Sequence, residues 1–278
     1  MTIYNYNKYC IDRYLEVYNA IKQSLKLKGK AEAERAAQKE AIKVTVIEAF
    51  EKYPKIEACQ IWQAIYAAHV SRKSGIIDPS VINAVISADN SWKKSSGHAF
   101  EEAVKALANK ALSGTGIQMV LQRDLSNLIQ HNLIDNELRD MKWLKEQLNS
   151  SNFDLYMTAK KGNKQTVFGC VQTKTSIRDR VTRDREPSIH AMGAFFWSVA
   201  FVLDGSFLQL PKFKFMVNGN SPNFPSNGWH GFYVFSEQYS IDRIYYVGEN
   251  LKTFVDHAKK SSTAWFAQRQ WMDINWKA

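Results

Sequence analysis

The sequence has no long hydrophobic segment. No run of about 18 apolar residues occurs in the 278-residue chain, so a membrane-spanning helix is not expected. The first ten residues, MTIYNYNKYC, lack the apolar core of a signal peptide, so secretion is not expected either. These two absences predict a cytoplasmic protein with no membrane partner.

Cysteine is scarce, since only Cys10, Cys59 and Cys170 occur. Three scattered cysteines do not make a disulfide framework, and they suit the reduced thiols of a cytoplasm. No CxxC pair is present, so a zinc site with cysteine ligands is not indicated. The chain also lacks internal repeats and low-complexity tracts, which leaves one large domain or two smaller ones.

The composition is that of a folded protein with an excess of positive charge. Hydrophobic residues make up 45% of the chain and aromatic residues 13%, enough for a sizeable core. Lys and Arg number 37 against 27 Asp and Glu, which gives a formal net charge of +10. This excess favours a polyanionic partner, so DNA or RNA is the first partner to test.

Residues 1–92 are predicted to form an all-helical N-terminal subdomain. Apolar residues at helical spacing, separated by a proline and a Ser-Gly pair, indicate four helices. These are expected at about 4–27, 31–50, 59–69 and 78–85. The subdomain carries Lys22, Lys26, Lys28 and Lys30. These lysines suit contact with a DNA backbone, but a plain packing or dimerisation module explains the helices equally well.

Residues 93–278 are predicted to form an α/β (α+β) domain with a mixed sheet flanked by helices. Strands are expected at 117–121, 153–157, from 167 onwards, 212–217, 231–235 and 242–247. Helices are expected at 98–112, 125–130, 140–148, 188–203 and 250–271. The segment 218–228, NGNSPNFPSNG, is expected to be a long loop, either an ordinary one or one that enters a DNA groove.

The chemistry is expected at the end of a hairpin. Asp154 stands on the strand before the turn and Lys174 near the end of the strand after it, so both can converge on one point. Metal-dependent phosphodiester cleavage requires carboxylates that hold Mg²⁺ and a cation near the attacking water. Gln172 occupies the position, two residues before the lysine, where nucleases of this pattern usually carry a second acid.

A charged run directly after the lysine suits DNA recognition. Arg178, Asp179 and Arg180 form a triplet fit for adjacent G·C pairs, because arginine binds guanine O6 and N7 while aspartate accepts from cytosine N4. Arg183 and Arg185 are assigned to the DNA backbone, because phosphate contacts outnumber base contacts. A mixed charge run is more often a solvated face, but its position after an apolar strand favours the functional interpretation.

The missing acid has more than one candidate. Glu186 follows the lysine by twelve residues and could supply the carboxylate that Gln172 lacks. Glu101 or Glu102, at the start of a helix, could also approach the metal. Carboxylates in a first helical turn are more often surface residues that suit the helix dipole. Gln172 itself is a polar replacement for the lost acid.

Together, Lys174, the R-D-R triplet and Glu186 resemble the CCGG-recognising group of type II restriction endonucleases, in the PD-(D/E)XK superfamily. The resemblance extends to WKKSSGHAFEEAVK, NFDLY and VFGCVQTKTSIRDRVTRDREPS. It implies a prokaryotic host and a PD-(D/E)XK core with a mixed five-stranded sheet. It also implies Mg²⁺-dependent double-strand cleavage at a palindrome with a CCGG core, W/CCGGW-like, that leaves 5′ overhangs. A palindrome requires two-fold symmetry, so a homodimer on double-stranded DNA, or a higher oligomer, is expected.

The resemblance also implies residue roles. Asp154 and Glu186 are the expected metal ligands, and Lys174 is expected to orient the water and stabilise the charge of the transition state. The R-D-R triplet is expected to contact the C·G pairs. In several relatives the second acid lies slightly further along, where this chain has Pro187 and Ser188. Glu186 is the nearest carboxylate to that position.

Two other functions fit parts of the sequence. A structure-specific repair or recombination nuclease of the same fold would use the same hairpin, but the R-D-R triplet argues against it. A basic DNA-binding protein without an active site explains the charge of +10 and the N-terminal helices. That second alternative leaves Asp154, Lys174 and Glu186 without roles.

Overall fold

A computed structural model of the chain describes residues 4–24, 30–74, 79–175, 181–235, 240–248 and 251–278. The chain divides into two compact units, Met1–Ala103 and Val104–Ala278. The domain boundary at residues 92 and 93 that the sequence indicates stays a prediction. None of the helices in the described ranges is long and apolar enough to cross a membrane.

The first unit is a packed group of helices. They are α1 (Tyr4–Ser24), α2 (Lys30–Lys52), α3 (Ala58–Ser74) and the first part of α4 (Pro79–Ala111). Helix α1 packs against both α2 and α3. The core includes the buried side chains of Tyr14, Ile42, Ile65 and Phe100. The all-helical prediction for this part of the chain is therefore confirmed.

Helix α4 continues through the Ser95-Ser96-Gly97 segment, where the sequence predicts a break between two helices. A glycine inside a helix costs about 1 kcal/mol relative to alanine. Burial of a large aromatic side chain contributes about 1.5–3 kcal/mol. Trp92 and Phe100 flank the glycine, and both pack edge-on against Trp62 of α3. Tertiary packing therefore outweighs the local preference for a break.

The second unit is built on a mixed sheet of six strands rather than five. The strands are β1 (Ile117–Leu121), β2 (Leu155–Lys161), β3 (Lys164–Lys174), β4 (Trp197–Val202), β5 (Gly231–Val234) and β6 (Ile244–Tyr246). Their order in the sheet is the order in the chain. The first three pair antiparallel, and β3 to β6 pair parallel. The helices are α5 (Gln122–Gln130), α6 (Leu138–Ser150), α7 (Val181–Gly193), α8 (Pro211–Asn218) and α9 (Lys252–Gln268).

The hairpin of β2 and β3 sets the register on which the site depends. Its turn is formed by Gly162 and Asn163, with Gly162 at a φ of 62° that glycine adopts without strain. Leu155 pairs with Val171, which confirms the predicted hairpin. Asp154, the residue before β2, therefore lies across the hairpin from the last residues of β3.

The segment 188–203, predicted as one apolar helix, is divided between α7 and β4. Helix α7 begins before Pro187, and the chain turns at Phe195, which has a φ of 65°. Strand β4 lies between β3 and β5 and is buried at all six positions. A strand covered on both faces is apolar throughout, so it lacks the alternation that distinguishes a strand from a buried helix.

The segment Pro211–Asn218 is helix α8, although the sequence predicts a strand at 212–217. Phe213 and Phe215 alternate with lysines, which is the pattern of a half-buried strand. The structure instead buries the adjacent residues Met216 and Val217, with Phe213 packed on the same cluster. That spacing is helical, and Pro211 at the first position suits a helix start.

Helices cover both faces of the sheet. On one face, Met216 of α8 packs in a cluster with Val202 of β4. On the other face, Phe254 of α9 stacks on Trp197 of β4. Helix α6 covers the antiparallel strands through Leu144, which lies in a cluster with Tyr156.

Candidate active site

Asp154 and Lys174 meet at one end of the sheet, as the hairpin predicts. The Lys174 Nζ lies 3.7 Å from the Asp154 Oδ2. The same Oδ2 accepts hydrogen bonds from the Thr173 backbone N–H at 2.7 Å and from the Thr173 hydroxyl at 3.2 Å. The carboxylate is therefore held in a defined orientation by the chain itself.

A second carboxylate at this place belongs to Asp184, in the first turn of α7. Its Oδ2 lies 3.5 Å from the Lys174 Nζ. The same ammonium thus pairs with two carboxylates, those of Asp154 and Asp184. The three side chains are between 17% and 22% exposed at the ends of the strands, and the Asp184 Oδ2 itself is buried. A lysine between two carboxylates is the central feature of this site.

Glu186 occupies a different face of α7. Two residues along an α-helix correspond to a rotation of about 200°, so Asp184 and Glu186 point to nearly opposite sides. Glu186 is exposed, and in the described part of the chain the ion pairs of Lys174 are those with Asp154 and Asp184. The structure thus does not bring Glu186 to the lysine, and its role as a metal ligand stays a prediction.

Gln172 is buried, with 1% of its surface exposed. Its Nε2 donates to the backbone carbonyls of Asn152 at 3.2 Å and Asp184 at 3.0 Å. Its Oε1 accepts a hydrogen bond of 2.8 Å from the Trp229 indole N–H. The amide therefore binds protein groups on both of its ends.

The donor set fits a hard divalent cation. Mg²⁺ prefers carboxylate oxygens, and proteins commonly bind it through one or two carboxylates together with substrate phosphates. Asp154 and Asp184 supply two such groups beside one lysine. Across the described ranges, no cluster of three or more His, Cys, Asp or Glu side chains that could hold a metal occurs. The pair is thus suited to a metal ion whose coordination shell is completed by the substrate.

The predicted recognition residues are placed only in part. Arg178, Asp179 and Arg180 lie outside the described residues, between the end of β3 and the start of α7. Arg183 is exposed. The guanidinium of Arg185 donates hydrogen bonds to backbone carbonyls of the protein. The assignments of all five residues to DNA stay predictions.

Arg185 joins α7 to the loop after α8. Its Nε donates to the Met216 carbonyl at 3.0 Å, and its Nη2 donates to the Ser226 carbonyl at 2.5 Å. The guanidinium also lies over the ring of Phe224, 5.2 Å from its centroid. Burial lowers the pKa of Arg185 from its ordinary value. A Cβ at Gly228 would lie 3.0 Å from the Arg185 Cγ, so glycine permits this close approach.

Glu101 and Glu102 belong to the first unit, on α4. The Oε2 of Glu101 lies 3.2 Å from the Nδ1 of His98. Glu102 forms an ion pair with Lys39 of α2 at 2.5 Å. These contacts are those of surface and packing residues. The approach of Glu101 to a metal stays a prediction.

Sequence reasoning missed Asp184 and Trp229. The sequence predicts that the helix begins at Ser188, after Pro187, so Asp184 lies outside the predicted helix. A helix that begins at Val181 places Asp184 on the same face as the buried Ser188, four residues later. That periodicity is the signal that could have found Asp184. The contact between Trp229 and Gln172 spans 57 residues and has no local signal.

Comparison with known proteins places this site in a family. A family model described as BsaWI restriction endonuclease type 2 matches residues 134–271. The chain is also similar to the solved structure of the pre-specific BsaWI–DNA complex. The sequence identity is 52%, the match covers 99% of this chain and 98% of that chain, and the TM-score is 0.70. The chain belongs to the BsaWI restriction endonuclease family.

Membership of the BsaWI family confirms that the chain is a type II restriction endonuclease of the CCGG group, and thus a site-specific nuclease. The solved structure of the specific AgeI–DNA complex is 18% identical, with a TM-score of 0.59 over 89% of this chain and 91% of that chain. At that identity the likeness shows the shared fold alone. A comparison with curated proteins finds no match.

Proposed function

We propose that this BsaWI-family chain cuts both strands of DNA in the presence of Mg²⁺, at a palindrome with a CCGG core and W/CCGGW-like flanks. The cut leaves 5′ overhangs. The observation that carries the proposal is the position of Lys174 between the carboxylates of Asp154 and Asp184. Both solved relatives are DNA complexes, which supports DNA as the substrate.

Asp154 and Asp184 are the proposed metal-binding residues, with Glu186 as the alternative acid from α7. Bound there, Mg²⁺ would polarise the scissile phosphate and lower the pKa of the attacking water. Asp154 is suited to this role because Thr173 fixes its Oδ2 through two hydrogen bonds. A preoriented carboxylate requires little rearrangement when substrate arrives.

Lys174 is proposed to orient the attacking water and to stabilise the negative charge that develops on the phosphate. Its ammonium lies within 3.7 Å of each carboxylate. The two ion pairs hold the ammonium at the end of β3. A fixed positive charge at that point lowers the barrier for phosphodiester hydrolysis.

Recognition is proposed to come from the segment that connects the lysine to α7. Arg178, Asp179 and Arg180 follow Lys174 by four to six residues, so base contacts and chemistry share one short stretch of chain. Arginine and aspartate have the hydrogen-bonding groups that distinguish G·C pairs in the major groove. Arg183, which is exposed, is the proposed phosphate contact of α7.

A homodimer is the proposed active assembly, because each strand of a palindrome needs its own active site and the two sites must share the two-fold axis of the DNA. The net charge of +10 makes binding dependent on salt, since each neutralised phosphate releases counterions.

Digestion of phage DNA with and without Mg²⁺ tests the proposal, and sequencing of the fragment ends gives the site and the overhang. Lys174→Ala is expected to lower the cleavage rate by about 100- to 1000-fold, the range for loss of one preorganised charge-stabilising group. Lys164→Ala is the matched control, because Lys164 is exposed at the other end of the same strand. A Lys174→Ala variant that cuts as fast as the Lys164→Ala variant would remove the assignment of the active site.

A further inference from the structure

Gln172 is a buried amide whose hydrogen bonds all go to other segments of the chain. Its Nε2 donates to the carbonyl of Asn152, two residues before Asp154, and to the carbonyl of Asp184. The backbone segments that carry the two acids beside Lys174 are therefore hydrogen-bonded to the same side chain. A shift of that amide would move both carboxylates relative to the lysine.

The orientation of this amide is fixed by Trp229. The indole N–H can only donate, and it donates to the Gln172 Oε1 at 2.8 Å. The Oε1 must therefore face Trp229, which turns the two N–H groups toward the carbonyls of Asn152 and Asp184. Trp229 is 1% exposed and packs edge-on against Phe232, so the indole has a rigid setting.

A carboxylate cannot replace this amide. An ionised glutamate has acceptors only, so its second oxygen would face two carbonyl oxygens where the Nε2 now donates. Loss of those hydrogen bonds at a buried position leaves the two carbonyls without these partners. The acid that nucleases of this pattern usually carry at this position would therefore disturb the geometry of the site.

We propose that Gln172 is a positioning residue for cleavage: its amide, oriented by Trp229, holds the backbone segments of Asp154 and Asp184 at the spacing that Lys174 requires. The role rests on the proposed metal-dependent cleavage, and Gln172 acts through the two acids rather than by contact with metal or DNA. Restoration of an acid by Gln172→Glu should consequently impair the enzyme.

The test compares full-length variants by single-turnover cleavage of a duplex with a CCGG core, at several Mg²⁺ concentrations. Gln172→Glu supplies an acid without the two donors, and Gln172→Met removes all polar groups at similar size. Trp229→Phe removes only the indole donor. Duplex binding without divalent cations and the melting temperature are measured for each variant.

Asn136→Asp is the matched control for an amide-to-acid change. The Asn136 amide donates to the Val167 carbonyl and accepts from the Val167 N–H, both at 2.8 Å. Val167 lies on the same strand as Lys174, seven residues earlier, or about 23 Å along β3. The control therefore removes an equivalent hydrogen bond without touching either acid.

Both Gln172 variants are expected to cleave about 100-fold more slowly and to need more Mg²⁺ for half-maximal rate, with duplex binding changed by less than about threefold. Trp229→Phe should lower the rate by about tenfold, and the Trp229→Phe, Gln172→Met double variant should cut no more slowly than Gln172→Met alone. Asn136→Asp should lose melting temperature but keep its rate within about threefold.

Three results would overturn the proposal. If Gln172→Glu cuts as well as the wild type while Gln172→Met does not, the side chain at this position meets the metal directly. If both variants fold and cut normally, Gln172 is only a core residue. If the wild-type chain binds the duplex but does not cut it in Mg²⁺, the proposed function fails, and the positioning role fails with it.

Discussion

Acidification is expected to destabilise the second unit through His230, a buried histidine at the entry to β5. Its Nδ1 accepts a hydrogen bond of 3.0 Å from the Ser198 backbone N–H, and its Nε2 donates to the Asp273 carbonyl at 2.6 Å. The imidazole is 2% exposed. Burial lowers its pKa to about 3. A proton on Nδ1 would face the N–H of Ser198, so the folded chain does not accommodate the charged imidazole.

The magnitude follows from linkage between protonation and unfolding. An unfolded histidine has a pKa of about 6.5, so between about pH 6.5 and pH 3 the unfolded chain binds a proton that the folded chain does not. The folded-state pKa is depressed, and for a base this means that the stabilisation is complete above about pH 6.5 and is lost as the pH falls. At 1.36 kcal/mol per pH unit, the loss from His230 between pH 7 and pH 5 is about 2 kcal/mol.

His257 adds to this loss in the same unit. Burial lowers its pKa to about 4, and its Nδ1 lies 2.8 Å from the hydroxyl of the buried Tyr233. At about pH 5 its contribution is of the same order, so the unit should lose roughly 4 kcal/mol in total. Whole domains are stable by only about 5–15 kcal/mol, so the change is readily measured.

Urea unfolding at about pH 7 and about pH 5 measures the effect. His230→Gln keeps an acceptor and a donor at the two contacts but does not titrate. Its free energy of unfolding should therefore fall by about 2 kcal/mol less than that of the wild type over this interval. His131→Gln is the control, because it makes the same exchange at an exposed position at the end of α5. Equal losses in the wild type and His230→Gln would refute the assignment of the effect to His230.

Two further predictions concern α7. Asp184→Asn should slow cleavage by about 100-fold and Glu186→Gln should change it by less than about threefold, because of these two acids only Asp184 faces Lys174. Single-turnover cleavage rates in Mg²⁺ test this. A larger loss in Glu186→Gln would favour Glu186, the metal ligand that the sequence predicts. Arg183→Ala should reduce the slope of log affinity against log salt by about 1, as for the loss of one phosphate contact. Arg185→Ala should leave that slope unchanged and lower stability by about 2–4 kcal/mol, since its guanidinium donates to two backbone carbonyls. Equal slope changes for both arginines would show that Arg185 also contacts DNA.

The sequence alone determined the elements whose signals are local. Strand β1 was predicted at its observed bounds, because its mostly apolar run has the length of a strand and is too short for a typical helix. The hairpin before Lys174 was predicted from two strand patterns separated by one turn, and the pairing of β2 with β3 confirms it. Asp154 and Lys174 could be brought together from these signals, because pairing across one turn fixes which residues stand level.

Elements with a nonlocal environment could not be predicted in this way. Strand β4 looks like a buried helix because both of its faces are covered, and α8 looks like a strand because Phe213 and Phe215 alternate with lysines. Local sequence records how apolar each residue is. Local sequence does not record which parts of the chain cover each residue. For β4, the covering neighbours come from β3, β5 and α9.

The sequence determined the motif, and with it the family and the position of the lysine. Tertiary structure decided which second carboxylate, besides that of Asp154, approaches Lys174. Asp184 and Glu186 are two residues apart and chemically alike. They are distinguished only by the rotation of α7, which depends on packing of the helix against the sheet at Ser188 and on the Gln172 hydrogen bond to the Asp184 carbonyl. The partners of Arg185 were decided in the same way, because they lie 31 and 41 residues away and approach only when α8 and its loop fold onto α7.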